Sequence, residues 1–169
     1  MTPYLVTAPA SMPVTLAEMK AHLRVVHADD DVDIAAKQAG AVAMLDGWGG
    51  ILGRCIMPQT WAVDVTGPGP HLLPFPDASN IVAEAGGDAL GVTIAREGAG
   101  LCVSVVGAET GQDVTITAEY ALPGPRRSAA ESLVKLLVQR EFDVMAGSDY
   151  DAITRSIQAL VDVLRWRRI

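Results

Sequence analysis

The apolar residues of this chain change period along its length, and that change limits which parts can be helix and which strand. Leu16, Met19, Leu23 and Val26 recur at helical spacing. From Val114 to Tyr120 apolar and polar residues alternate, with Val114, Ile116 and Ala118 on one face and Thr115, Thr117 and Glu119 on the other. From Ala129 to Met145 the chain is apolar nearly all round, the pattern of a helix buried on more than one side. Pro123-Gly124-Pro125 separates the last two regimes.

The local signals sharpen this order. Thr15 with Glu18 three residues on is a capping box, predicting a first helix from about Leu16 to Val25. Asp29, Asp30 or Asp31 can cap a second helix, Asp30 being the candidate, with its charge favourable at the N-terminus. The inward positions of that helix read as Val32, Ala35, Ala39, Val42 and one of Leu45 or Asp46. Alanines there let a neighbouring helix approach closely. Gly47, Gly49 and Gly50 end it, and Ile51-Leu52-Gly53-Arg54 reads as a turn that re-enters the core.

Strands are expected at Trp61–Val65, near Leu72 and Ile81, and at 92–95 and 101–106, the last two joined by the hairpin signal Glu97-Gly98-Ala99-Gly100. A final helical stripe places Ile153, Ile157, Leu160 and Leu164 together. The expected fold is α+β but mainly α. A bundle of three to four helices (about 15–26, 30–46 and 126–146) carries a small antiparallel β insertion at about 60–120. Residues 1–148 would form the body and 149–169 a C-terminal helix or arm.

A length of 169 residues fits one domain, and half of them are hydrophobic, enough for a real core. Net charge is −7, which argues against tight DNA binding but suits a surface that DNA slides past. Cys55 and Cys102 have no metal-site spacing and read as buried or half-buried thiols of a reducing cytoplasm. The N-terminus lacks a signal-peptide pattern, and no apolar run approaches the roughly 18 residues of a bilayer span. These features predict synthesis in the cytoplasm without a membrane partner.

Chemical motifs fail on spacing. Asp29, Asp31 and Asp33 alternate like the start of a calcium loop, but Ile34 stands where Gly is needed and Gly40 where a bidentate Glu is needed. His22 and His27 are five residues apart, and His71 stands alone, so no zinc set forms. The serines lack a nucleophile-elbow context. The Gly-rich pieces lack both the phosphate-loop Lys and the dinucleotide fingerprint. Neither an enzyme nor a cofactor is expected.

The last residues are basic, with Arg155, Arg165, Arg167 and Arg168 against Asp151 and Asp162. Three readings compete: a terminal helix with arginines favourable at its end, a weak phosphate-contacting tail, and a docking arm. Trp and Arg are enriched at binding hot spots. The docking candidates are Leu160, Leu164, Arg165, Trp166, Arg167, Arg168 and Ile169.

Several pieces occur together in order: Thr15-Leu16 with Glu18 and Lys20, His22-Leu23-Arg24-Val25, Asp30-Asp31, a small-residue helix, and Gln59-Thr60-Trp61. In this order the chain resembles the tailed-phage head–tail connector (adaptor) family, found in siphophages, prophages and gene transfer agents. Gly47-Trp48-Gly49-Gly50 departs from the pattern, since relatives usually carry Tyr or Thr near the close of that helix. The resemblance implies a ring of about a dozen copies beneath the portal, at the head–tail junction. Such a ring extends the DNA channel without sequence-specific DNA contact. The implied partners are the portal protein, through the C-terminal segment, and a tail-proximal stopper. The alternatives are another head- or tail-completion protein, or a bacterial small-molecule-binding module or enzyme with a site assembled from scattered residues.

Overall fold

The computed structural model describes residues 1–98, 100–142 and 150–166. Among these the chain runs β1 (Tyr4–Thr7), α1 (Leu16–Leu23), α2 (Asp31–Leu45), β2 (Gln59–Thr66), β3 (His71–Leu72), β4 (Ala78–Ala85), β5 (Asp88–Glu97), β6 (Gly100–Val106), β7 (Asp113–Tyr120), α3 (Gly124–Phe142) and α4 (Tyr150–Leu164). It divides into a sheet unit, Met1–Ala10 and Met57–Leu122 with Trp166, and a helical unit, Ser11–Ile56 and Pro123–Arg165.

The expectation of a mainly α bundle with a small β insertion is overturned. Helices make up 36% and strands 30% of the described residues, and the seven strands form one curled antiparallel sheet. Two things enlarge it. Ala78–Ala85 and Asp88–Glu97 are strands of eight and ten residues, hinged at Gly86 and Gly87, both with left-handed φ (61° and 93°). Tyr4–Thr7, which has no polar–apolar alternation, joins the sheet as an edge strand from far away in sequence.

The sheet order is β1-β2-β7-β4-β5-β6-β3. Every neighbouring pair is antiparallel. The alternation of β7 decides its faces. Val114, Ile116 and Ala118 stand opposite Val65, Val63 and Trp61 of β2, and with Leu73, Ala83, Val103 and Val105 they build the core on the inner side of the curl. Phe75 packs edge-on against Trp61 and Tyr120, at centroid distances of 5.3 and 4.9 Å. Beyond β6 the margin is taken by the proline-rich segment around β3. The Val105 N–H donates to the Pro68 carbonyl at 2.7 Å, and the Leu73 N–H to that of Leu101 at 2.9 Å. Prolines there leave few donors for a further strand.

In the helical unit α3 packs with α1, α2 and α4. It buries Ala130, Leu133, Val134, Leu137 and Val138. The reciprocal cap of α1 is present: the Thr15 hydroxyl accepts from the Glu18 N–H at 3.2 Å, and the Glu18 carboxylate accepts from the Thr15 N–H at 2.8 Å. Asp30 stands at the N-cap position of α2 without a side-chain cap bond, because its backbone (φ −94°, ψ 1°) is not extended as a capping residue's is.

The inward face of α2 also differs from expectation. The buried row is Ile34, Gln38, Ala41 and Leu45, whereas Val32, Ala35 and Ala39 are exposed. The Gln38 amide donates to the Val14 carbonyl, so a polar residue marks the core side. Val26, expected on the inner stripe of the first helix, lies past its end and is 95% exposed.

Candidate functional site

The acidic residues at the start of α2 are engaged by side chains of the same chain. Lys20 Nζ lies 2.5 Å from Asp31, Lys37 Nζ lies 2.5 Å from Asp33, and the His27 ring lies 3.7 Å from Asp30. His22 contacts Gln139 Oε1 at 2.9 Å, and His71 contacts the Gly67 carbonyl at 2.9 Å. Among the described residues no group of three His, Cys, Asp or Glu is placed to hold a metal ion. Cys55 and Cys102 are buried and not joined in a disulfide. The Cys102 thiol donates to Glu97 at 2.9 Å; that bond, burial and the carboxylate charge all push its pKa up, away from nucleophilic use. None of the described helices is long and apolar enough to cross a membrane.

The outward face of the sheet is acidic. Asp64, Thr115 and Glu84 stand side by side across β2, β7 and β4. With Asp113 they line an open cleft of about 530 Å³. The Thr115 hydroxyl donates to Asp64 at 2.8 Å, and the Tyr4 hydroxyl to the same oxygen at 3.3 Å. Burial and then the Asp64 charge raise the Tyr4 pKa, so the phenol stays protonated as a donor. Over Met1–Ala10 and Met57–Leu122 the only basic residue is Arg96, against eight acidic ones: Asp64, Asp77, Glu84, Asp88, Glu97, Glu109, Asp113 and Glu119. The negative charge of the chain is thus concentrated on these two segments.

The candidate docking residues do not share one surface. Leu164 is 0% exposed and belongs to the core of the helical unit with Ile157; as placed, it is a packing residue with no area to offer a partner. Leu160 is half-buried on the same stripe. Arg165 is exposed, its N–H held by the Val161 carbonyl at 2.8 Å. Trp166 is half-buried, and its ring lies over Gly100, where a β-carbon would come within 3.7 Å of it. Arg167, Arg168 and Ile169 lie outside the described residues.

Two apolar surfaces escaped the sequence reading. Strand β1 pairs only with β2 among the described strands, and all four of its residues are exposed. Its signal was four aromatic or β-branched-rich residues between Pro3 and Pro9. The other is the exposed side of α2, where Val32, Ala36, Ala39 and Ala43 lie.

No family model matches the chain, and no curated protein matches it. Its fold is similar to that of a chain in the solved structure "Neck of empty GTA particle computed with C6 symmetry", at 20% identity and a TM-score of 0.65. The likeness covers 100% of this chain and 97% of that one, so it extends over both units and is a likeness of fold.

Proposed function

We propose that this chain is a non-catalytic structural component of the neck of a phage or phage-like particle such as a gene transfer agent. In this reading it is the head–tail adaptor, a ring of about a dozen copies beneath the portal. The ring extends the DNA channel and joins the head to the stopper ring on the tail side. The observation that carries this is the fold likeness, end to end on both chains, to a chain from a particle neck. The ordered sequence pieces from Thr15 to Trp61 point the same way from independent information.

The acidic sheet unit fits the role, because phosphates passing a negative wall are repelled and do not stick. Portal contact falls to the segment from Arg165 and Trp166 onward, including Arg167, Arg168 and Ile169, with Leu160 and Leu164 holding the helix that presents it. The protein acts first in the host cytoplasm, during assembly, and then at the head–tail junction.

The test is removal of the chain from the host that makes the particle. DNA-filled heads without tails should accumulate, and a tagged copy should restore joining and be seen at the neck by electron microscopy. Joined particles in normal number without the chain would overturn the reading.

A further inference from the structure

The helical unit holds a pocket of about 260 Å³ between the segment that leads into α1 and the first half of α2. Met12, Val14 and Leu16 line it from the first, Ala35 and Gln38 from the second. Among the described residues no ionised side chain lines it. Pockets for drug-sized molecules run from about 300 to 1,000 Å³, so this one has room for a single large side chain. Gln38 is 3% exposed. Its amide N–H donates to the Val14 carbonyl, while its Oε1 accepts no hydrogen bond from a described residue. That oxygen is not sealed inside the core, so it opens into the pocket that Gln38 lines. Thr15, at the rim, has its hydroxyl committed to Glu18 at 2.7 Å and cannot serve as the donor. An acceptor on a buried side chain in an apolar pocket calls for a donor on whatever fills it.

The far end of α2 displays a group of that kind. Trp48 stands in the turn closed by the Gly50 N–H to the Gly47 carbonyl at 3.2 Å, and it is 36% exposed. Met44 and Ile51, on either side of it in the chain, are each 40% exposed. The Gly49 N–H, next after Trp48, donates to no described residue. From Ala41 to Met57 the charged residues are Asp46 and Arg54. Arg54 is buried, and Asp46 is half-buried with its carboxylate accepting from the Ile56 N–H at 2.6 Å. No exposed charge therefore has to be stripped of water when this turn is covered. The turn is also fixed in place, by the Gly47 N–H to the Arg54 carbonyl and the Ile51 N–H to the Met44 carbonyl, both at 2.9 Å. A rigidly held tryptophan loses little freedom on insertion, which is why tryptophan dominates binding hot spots.

We propose that Trp48 of one copy inserts into this pocket of the next, with the Gly49 N–H donating to Gln38 Oε1. The occupant is a second copy of this chain because the pocket asks for one large apolar side chain with a donor beside it, and this turn carries both on an uncharged surface. Knob and pocket are different patches of one chain. Each copy in a joined pair therefore retains one of the two for a further copy, and the assembly grows until it closes. This inference rests on the neck reading, for which it names the copy-to-copy contact.

The test is the native mass of the full-length chain by analytical ultracentrifugation. Wild type should assemble. Trp48→Ala, which removes the knob, and Ala35→Phe, whose ring fills the pocket from an exposed position, should each be monomeric with unchanged circular dichroism. Ala35→Leu serves in place of the phenylalanine variant if that one fails to fold. Mixed in equal amounts, the two variants should form a heterodimer and nothing larger, because one retains the pocket and the other the tryptophan. A wild type that stays monomeric at every concentration overturns the contact. So does a mixture that stays monomeric, or an assembly that survives either substitution; survival of Trp48→Ala alone would mean that another segment fills the pocket. The two readings separate cleanly. If the chain is found in particle necks but the variants assemble as wild type does, the contact falls and the neck role stands. If the mixture gives the heterodimer but the chain is absent from particles, the reverse holds.

Discussion

A methyl group at position 50 would sit 2.3 Å from the Leu45 carbonyl oxygen and 2.4 Å from that of Asp46. Those atoms cannot move away. The end of α2 is held by Gly47 N–H to the Arg54 carbonyl at 2.9 Å, Ile51 N–H to Met44 at 2.9 Å, and Ile56 N–H to the Asp46 carboxylate at 2.6 Å. Gly50→Ala should therefore cost on the order of 3 kcal/mol, read as a lower urea midpoint at unchanged slope. Gly49→Ala, with nothing within 4 Å, should stay within about 0.5 kcal/mol of wild type. A second residue-level expectation concerns Glu18. Hydrogen bonds from Thr15, the backbone N–H first, lower its pKa below the ordinary glutamate value. A lowered folded-state pKa gives stability that is present above the unfolded value and lost as pH falls through the folded one. The denaturation midpoint should drop across that acidic window in wild type. Glu18→Gln, which keeps an acceptor but does not titrate, should remove that part of the drop; identical profiles for the two would refute the assignment.

At the level of elements, α4 is a packed helix before it is anything else. Leu164→Ala should destabilise the chain by about 2–5 kcal/mol, as for a fully buried leucine. Arg165→Ala should leave stability within about 0.5 kcal/mol and is the variant whose effect reports partner contact alone. Thermal or urea unfolding of the two checks this directly. Local chemistry made the Thr15 cap, the glycine close of α2 and the hairpin from Glu97 to Gly100 legible in advance, because each depends on residues a few positions apart. The face of α2 was not legible. Counting apolar residues selects Val32, Ala35 and Ala39, while the core selects Ile34, Gln38, Ala41 and Leu45, with Gln38 inward because a carbonyl from Val14 meets its amide. A row of alanines is nearly indifferent between core and surface, so the polar member and its distant partner decide. Strand β1 stayed hidden for the same reason, since its partner lies more than fifty residues away. Of the candidate docking residues, composition picked out Arg165 and Trp166 on exposed or half-exposed ground, but it could not tell that Leu164 was already in use.

At the scale of the whole molecule, charge is unevenly shared, with one arginine against eight acidic residues over Met1–Ala10 and Met57–Leu122. The purified chain should show no retention of duplex DNA at moderate salt, where a binder using several phosphate contacts would still hold. Salt-sensitive retention in a filter or mobility assay would contradict the passive role given to the acidic face. Neither unit is a continuous stretch of sequence: the sheet unit takes its strands from Tyr4–Thr7 and from Gln59–Tyr120, and the helical unit takes its helices from either side of Gln59–Tyr120. Strand β7, lying between β2 and β4, is the last strand to be made, and α3, which packs with the other three helices, is made after it. On the ribosome the sheet therefore waits for Tyr120 to emerge, and the helices wait for nearly the entire chain. A copy cut short before Tyr120 completes neither unit, so it presents no finished surface with which to enter an assembly and spoil it.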